Sequence, residues 1–139
     1  MQRIEITQDF TLPVERVFAY LAEHENLGPI FGADIERARN GETERNGVGS
    51  LRRLKVGPLP WFEETITQFV PNELIEYRIT KGSVLKDHRG EMRFSPSGTG
   101  SRLVYVIEFD AKVPLTGPVL KKTIEGNVRS GLKDVDSKA

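Results

Sequence analysis

Between Ile35 and Asp110 the chain is cut into six short apolar runs by turn residues, and no feature constrains its fold more. The spacing predicts strands over Asp34–Asn40, Gly49–Val56, Trp61–Val70, Glu73–Lys81, Leu85–Phe94 and Arg102–Phe109. Asn40-Gly41 and Asn46-Gly47 mark the first connection, and Pro58 and Pro60 break the second. Pro71-Asn72 supplies a tight turn, and Ser95 through Gly100 reads as a long one. Parallel neighbours need crossovers of a dozen or more residues, so connections this short dictate an antiparallel meander.

The flanks of this region follow different periods. Ile4, Ile6 and Phe10 alternate with polar residues as in a half-buried strand. Val14, Val17, Phe18 and Leu21 then repeat at helical spacing, with Pro13 suited to the first turn and Glu15 to the positive helix end. Two glycines and a proline break Asn26 through Gly32 into a short helix or turn followed by a loop. After Pro118, the residues Leu120, Ile124, Val128, Leu132 and Val135 form one stripe of a helix about 18 residues long. The expected fold is therefore α+β, one domain over 1–139. A seven-stranded antiparallel sheet wraps around a long C-terminal helix, with two short N-terminal helical segments beside it.

Composition narrows the function. Twenty basic residues balance twenty acidic ones, so no long-range field draws this chain to nucleic acid or to an anionic membrane. The chain has no Cys, which removes disulfides and thiolate chemistry. His24 and His88 are its only histidines and lie far apart in sequence, so no metal site and no cofactor is expected. GxGxxG, GxxxxGK, HExxH and GxSxG patterns are all missing. No window is apolar enough to span a bilayer and no signal-peptide core opens the chain, so the expected location is cytoplasmic. Monomer and homodimer both stay open.

One helix cannot cover a curved sheet of seven strands, so side chains fill the gap or a cavity remains. Strand parity suggests its lining. Phe62, Glu64 and Ile66 share one face, while Trp61, Glu63, Thr65 and Thr67 share the other. Glu64 is the carboxylate expected to look inward, where it needs a cation or a donor. Arg52 shares parity with Leu54 and Val56 and is the candidate partner, either as a rim pair or as the polar end of an apolar pocket. Tyr77 lies with Ile75 and Ile79, His88 with Met92 and Phe94, and Tyr105 with Leu103, Ile107 and Phe109. Phe31 is read as a core anchor or an aromatic lid. On the helix, Asn127 and Gly131 face the same way as Leu120 and Ile124. They mark either close backbone approach to the sheet or room for a ligand.

Several phrases carry a family resemblance: Phe10 through Phe18 (FTLPVERVF), Gly47 through Arg52 (GVGSLR), Phe62 through Ile66 (FEETI) and Leu74 through Ile79 (LIEYRI). With the element order, they resemble the START-like or Bet v 1-like (SRPBCC) superfamily, also called the helix-grip fold, and especially its bacterial polyketide cyclase/dehydrase and lipid-transport branch. The resemblance implies a mostly apolar ligand held between sheet and long helix. It carries over Arg52, Glu64 and Tyr77 as polar positions, with Tyr105 and Asn127 added from position and parity. The chain departs from Trp-rich relatives after the first helix, where it has Leu27-Gly28-Pro29-Ile30-Phe31. Three functions follow as expectations. The first is binding of a small apolar or aromatic molecule with one polar end. The second is a cyclase- or dehydratase-like enzyme using Glu64 or His88 on protons and Arg52 or Tyr77 on an enolate oxygen. The third is a protein or membrane-associated lipid adaptor.

Overall fold

The computed structural model describes all residues, 1–139. Its strands are β1 (Gln2–Phe10), β2 (Asp34–Arg39), β3 (Leu51–Lys55), β4 (Phe62–Val70), β5 (Leu74–Lys81), β6 (Leu85–Ser97) and β7 (Gly100–Ala111). Its helices are α1 (Val14–Ala22), α2 (Gly28–Phe31), α3 (Gly117–Leu132) and α4 (Val135–Lys138), with a 3-10 turn over His24–Asn26. The seven strands form one sheet in the order β1-β7-β6-β5-β4-β3-β2, and every neighbouring pair is antiparallel. This is the α+β helix-grip fold. β2 through β7 form the meander that the short connections require, and β1 closes the far edge against β7.

Three departures from the sequence expectation bear on the fold. β6 runs through Ser95 and Pro96 to Ser97, so the expected long turn shrinks to Gly98-Thr99. Gly98 adopts φ 58, which closes the connection tightly enough for Ser97 to pair with Gly100. β3 begins at Leu51, although Gly49 and Ser50 still exchange backbone hydrogen bonds with Ile66. The C-terminal stripe does not lie on one helix. α3 stops at Leu132, and Val135 starts the separate turn α4, whose Asp136 carboxylate accepts the backbone N–H of Thr11 at 2.9 Å.

The main core joins the inner faces of β1, β4, β5, β6 and β7 to α1, α2 and the C-terminal half of α3. Phe18 packs edge-on against Phe69 and Phe94, with ring centroids 5.3 and 5.1 Å away. Phe69 reaches that side because a register shift between Ile66 and Gln68 reverses the parity of β4. The α3 stripe is sealed at Val128 and Leu132 but only half-buried at Leu120 and Ile124. Its first two turns therefore overhang space rather than core.

Candidate ligand cavity

The space under the first half of α3 is a cavity of about 370 Å³. Fifteen of its 22 lining residues are hydrophobic, so its surface favours apolar contents. Phe62, Ile79 and Ile107 line it from the sheet, and Leu120, Ile124 and Val128 from α3. Phe31 and Ala33 enter from α2 and the residues after it. Leu59, Pro60 and Trp61, between β3 and β4, and Gly82, Ser83 and Val84, between β5 and β6, complete the wall at one end of the sheet.

Glu64, Tyr77 and His88 are the polar and phenolic groups that the sheet adds to this wall. Glu64 sits directly opposite Arg52 in the β3–β4 register, and both side chains are buried. Arg52 Nε donates to Glu64 Oε1 at 2.8 Å, and Nη2 lies 2.8 Å from the same oxygen. The Nη2 approach is off the hydrogen-bond direction, so its protons are buried without an acceptor. Both contacts fall on Oε1, which leaves Oε2 without a protein donor. The guanidinium carbon lies 4.7 Å from the Tyr77 ring centroid and 5.4 Å from that of Phe31, so two aromatic faces share its charge. Arg52 thus stands behind the wall and fixes Glu64, rather than lining the cavity.

Tyr77 lies opposite Gly90 on β6, and its ring covers the space that a side chain at Gly90 would fill. Its hydroxyl is hydrogen-bonded to that of Tyr105, which is fully buried behind it and does not reach the cavity surface. Burial raises the pKa of both phenols, so both stay protonated and one donates to the other. The Ile79 backbone N–H donates to His88 Nδ1 at 3.1 Å. That contact assigns the proton of the neutral ring to Nε2, making His88 a donor. Burial lowers the His88 pKa against the opposing pull of the Glu64 carboxylate, which keeps the ring neutral at physiological pH.

Of the eight candidate residues, the structure places five on the cavity wall and sets Arg52, Tyr105 and Gly131 apart from it. Phe31, Glu64, Tyr77, His88 and Asn127 all line the cavity. Asn127 sits at its exposed side, where its amide packs against Gly32, a left-handed residue (φ 64) ending α2. Gly131 is elsewhere. A Cβ there would lie 2.5 Å from Ile30 Cα, so its missing side chain serves contact between α3 and α2, not the sheet and not the cavity. Trp61 was assigned away from Glu64 by strand parity, yet it lines the cavity because β4 starts one residue later. Its ring is held by Arg53, 5.0 Å from the centroid. Leu85 and His88 both face inward despite opposite parity, since a register shift and φ 52 at Asp87 kink β6 between them. Leu59 and Val84 were missed because loop residues have no periodicity to read.

The second histidine does not contribute. His24 is fully buried beside Ser50, whose hydroxyl donates to Gly47 O at 2.7 Å and lies 3.2 Å from His24 Nε2. Nε2 must then carry the proton, and Nδ1 is left buried without a donor. Glu76, also buried, faces the other side of the sheet, where Thr67 Oγ1 and Gln68 Nε2 donate to its carboxylate at 2.7 and 3.1 Å. No group of three or more His, Cys, Asp or Glu is placed to hold a metal ion. No helix is long and apolar enough to cross a membrane.

The sequence profile described as "Polyketide cyclase / dehydrase and lipid transport" matches residues 1–139, so the chain belongs to that family. No match was found among curated protein sequences. The fold is similar to the Zhui aromatase/cyclase from Streptomyces sp. R1128, at TM-score 0.81 and 19% identity over 99% of this chain and 92% of that one. It is similar to a START superfamily protein from Mycobacterium smegmatis, at TM-score 0.78 and 16% identity over 98% and 95%. It is also similar to norcoclaurine synthase from Thalictrum flavum in complex with dopamine and hydroxybenzaldehyde, at TM-score 0.71 and 14% identity over 99% and 84%. At these identities the likeness is one of fold.

Proposed function

We propose, with membership of the polyketide cyclase/dehydrase and lipid-transport family as the premise, that this chain binds one small apolar or aromatic molecule whose polar end meets Glu64 and His88. One observation carries the reading: an apolar cavity of about 370 Å³ whose polar wall offers one unsatisfied acceptor, Glu64 Oε2, and one donor, His88 Nε2–H. A hydroxyl can donate to the first and a carbonyl can accept from the second. Apolar burial supplies affinity, at roughly 25 cal/mol per Å² removed from water, and the two polar groups supply orientation. A thermal-shift panel of naphthalene, 2-naphthol and 1-acetylnaphthalene tests this. The oxygenated compounds are expected to stabilise the protein more than naphthalene does. Glu64→Gln is expected to remove the preference for the naphthol, and His88→Phe the preference for the ketone. Equal effects of all three compounds would reject the polar assignment.

The same pair favours a second, catalytic reading over other chemistries. With its proton on Nε2 and a backbone N–H on Nδ1, neutral His88 has no free base and acts only as a donor. Glu64 is then the base. It would take a proton from a carbon beside a carbonyl while His88 Nε2–H stabilised the enolate oxygen. Deuterium wash-in at that carbon, followed by NMR on an aryl β-diketone, is expected to be fast with the unmodified protein and to vanish with Glu64→Gln. Background rates with both proteins would leave binding as the function.

A further inference from the structure

We propose that the mouth end of the fold docks on an anionic phospholipid bilayer. Three connections meet there: Lys55 through Trp61, Thr80 through Lys86, and Ala111 through the start of α3. The Lys112 backbone N–H donates to Val84 O, and Gly82 packs against Trp61 and Phe62, so the three form one surface. Large apolar side chains stand out from it: Leu115 is 95% exposed, Val119 68% and Val113 56%, with Leu59 and Trp61 beside the cavity opening. Most of the fold's large exposed hydrophobics are at this end.

Leu115 is the sharpest of these. It adopts φ 71, a left-handed conformation that disfavours leucine, and it does so to hold an apolar side chain in water. Gly or Asn would fill a purely solvated turn better on both counts. An apolar medium beyond the tip accounts for the leucine.

Charge identifies that medium. The chain as a whole is neutral, yet 55–61, 80–86 and 111–124 contain Lys55, Lys81, Lys86, Lys112, Lys121 and Lys122 and no Asp or Glu. Carboxylates return at the borders, at Asp34 opposite Lys55, at Glu63, Asp87 and Asp110, and at Glu125 on the next turn of α3. Lysines around protruding apolar tips complement anionic headgroups over an acyl interior. A protein partner with a dry apolar face would leave these ammonium groups unpaired. Docking rests on this surface alone and holds whatever the cavity carries.

Co-sedimentation of the full chain with phosphatidylcholine vesicles, with and without phosphatidylglycerol, tests the proposal. The protein is expected to sediment with the anionic vesicles, to remain free of the neutral ones, and to be released by added salt. Replacing Lys112 and Lys122 together by Gln is expected to weaken partitioning on the order of 20-fold, at about fivefold per charge. Leu115→Ser is expected to weaken it several-fold with lipid charge unchanged. Lys133→Gln with Lys138→Gln, near the opposite end of the sheet, is the control expected to bind normally, and unchanged melting temperatures verify folding of all variants. The proposal is overturned by no binding to anionic vesicles, by equal binding to both vesicle types, or by indifference to Leu115→Ser. Self-association in light scattering that Leu115→Ser abolishes would overturn it in favour of a dimer face.

Discussion

Arg52 and Glu64 face each other across β3 and β4 with side chains only 3% and 6% exposed, and a single carboxylate oxygen takes both guanidinium contacts. Breaking such a pair strands a buried charge. Arg52→Ala and Glu64→Ala are each expected to cost about 3 to 5 kcal/mol in urea unfolding, whereas Arg52→Met with Glu64→Leu recovers most of the loss. A double variant as unstable as either single one would show that the pair does more than neutralise itself.

Gly90 predicts a connection between β6 and the cavity wall. A methyl group there runs into the Tyr77 ring, which cannot retreat without leaving Tyr105. Gly90→Ala is expected to destabilise the fold by about 1 to 3 kcal/mol and to change the near-ultraviolet circular dichroism of the tyrosines. Pairing Gly90→Ala with Tyr77→Leu is expected to restore most of that stability.

His24 sets a pH dependence. Burial, with the Arg52 and Arg37 charges, lowers its pKa to about 3. The unfolded chain protonates near the ordinary value of about 6.5. Between those values the unfolded state binds the extra proton, so this contribution to stability is complete above about pH 6.5 and declines as pH falls toward 3. Urea unfolding is expected to lose on the order of 1 kcal/mol per pH unit through that window. His24→Gln is expected to flatten the slope.

Two glycines on α3 are expected to respond in opposite directions. Nothing lies within 4 Å of a Cβ built at Gly126, so Gly126→Ala gains helix propensity, about 0.5 to 1 kcal/mol. At Gly131 the new Cβ meets Ile30 Cα and lies 3.1 Å from Pro29 O, both backbone atoms. Gly131→Ala is expected to destabilise by about 1 to 3 kcal/mol as α2 is displaced. Thermal unfolding of the two variants side by side measures both.

Much of this architecture was legible because it rests on local rules. Alternation placed Glu64, Tyr77 and Tyr105 inward, and short connections made consecutive strands of the meander antiparallel neighbours. Parity failed wherever the backbone left the regular pleat. Trp61 precedes β4, Phe69 follows a register shift, and the kink at Asp87 turns Leu85 inward. A shift of one residue exchanges the faces of a strand, and side-chain pattern alone does not announce it. The depth of Arg52 was equally hidden, since it comes from aromatic rings of β5 and α2 that close over the guanidinium. Gly131 was read as close approach to the sheet or as room for a ligand, and its partner is neither: it is α2, a four-residue helix with too little sequence to predict its docking. The lysine-bordered mouth escaped the whole-chain charge balance because its six cations come from three separated segments.

The account depends on the space under Leu120 and Ile124 being a binding site. Isothermal titration of 2-naphthol into the unmodified protein and into a cavity-filling variant, Ile124→Trp, measures this directly. One-to-one binding that weakens by at least about tenfold in the variant, with the fold intact by circular dichroism, is the predicted result. Equal affinity for both proteins, or no binding to either, would contradict it.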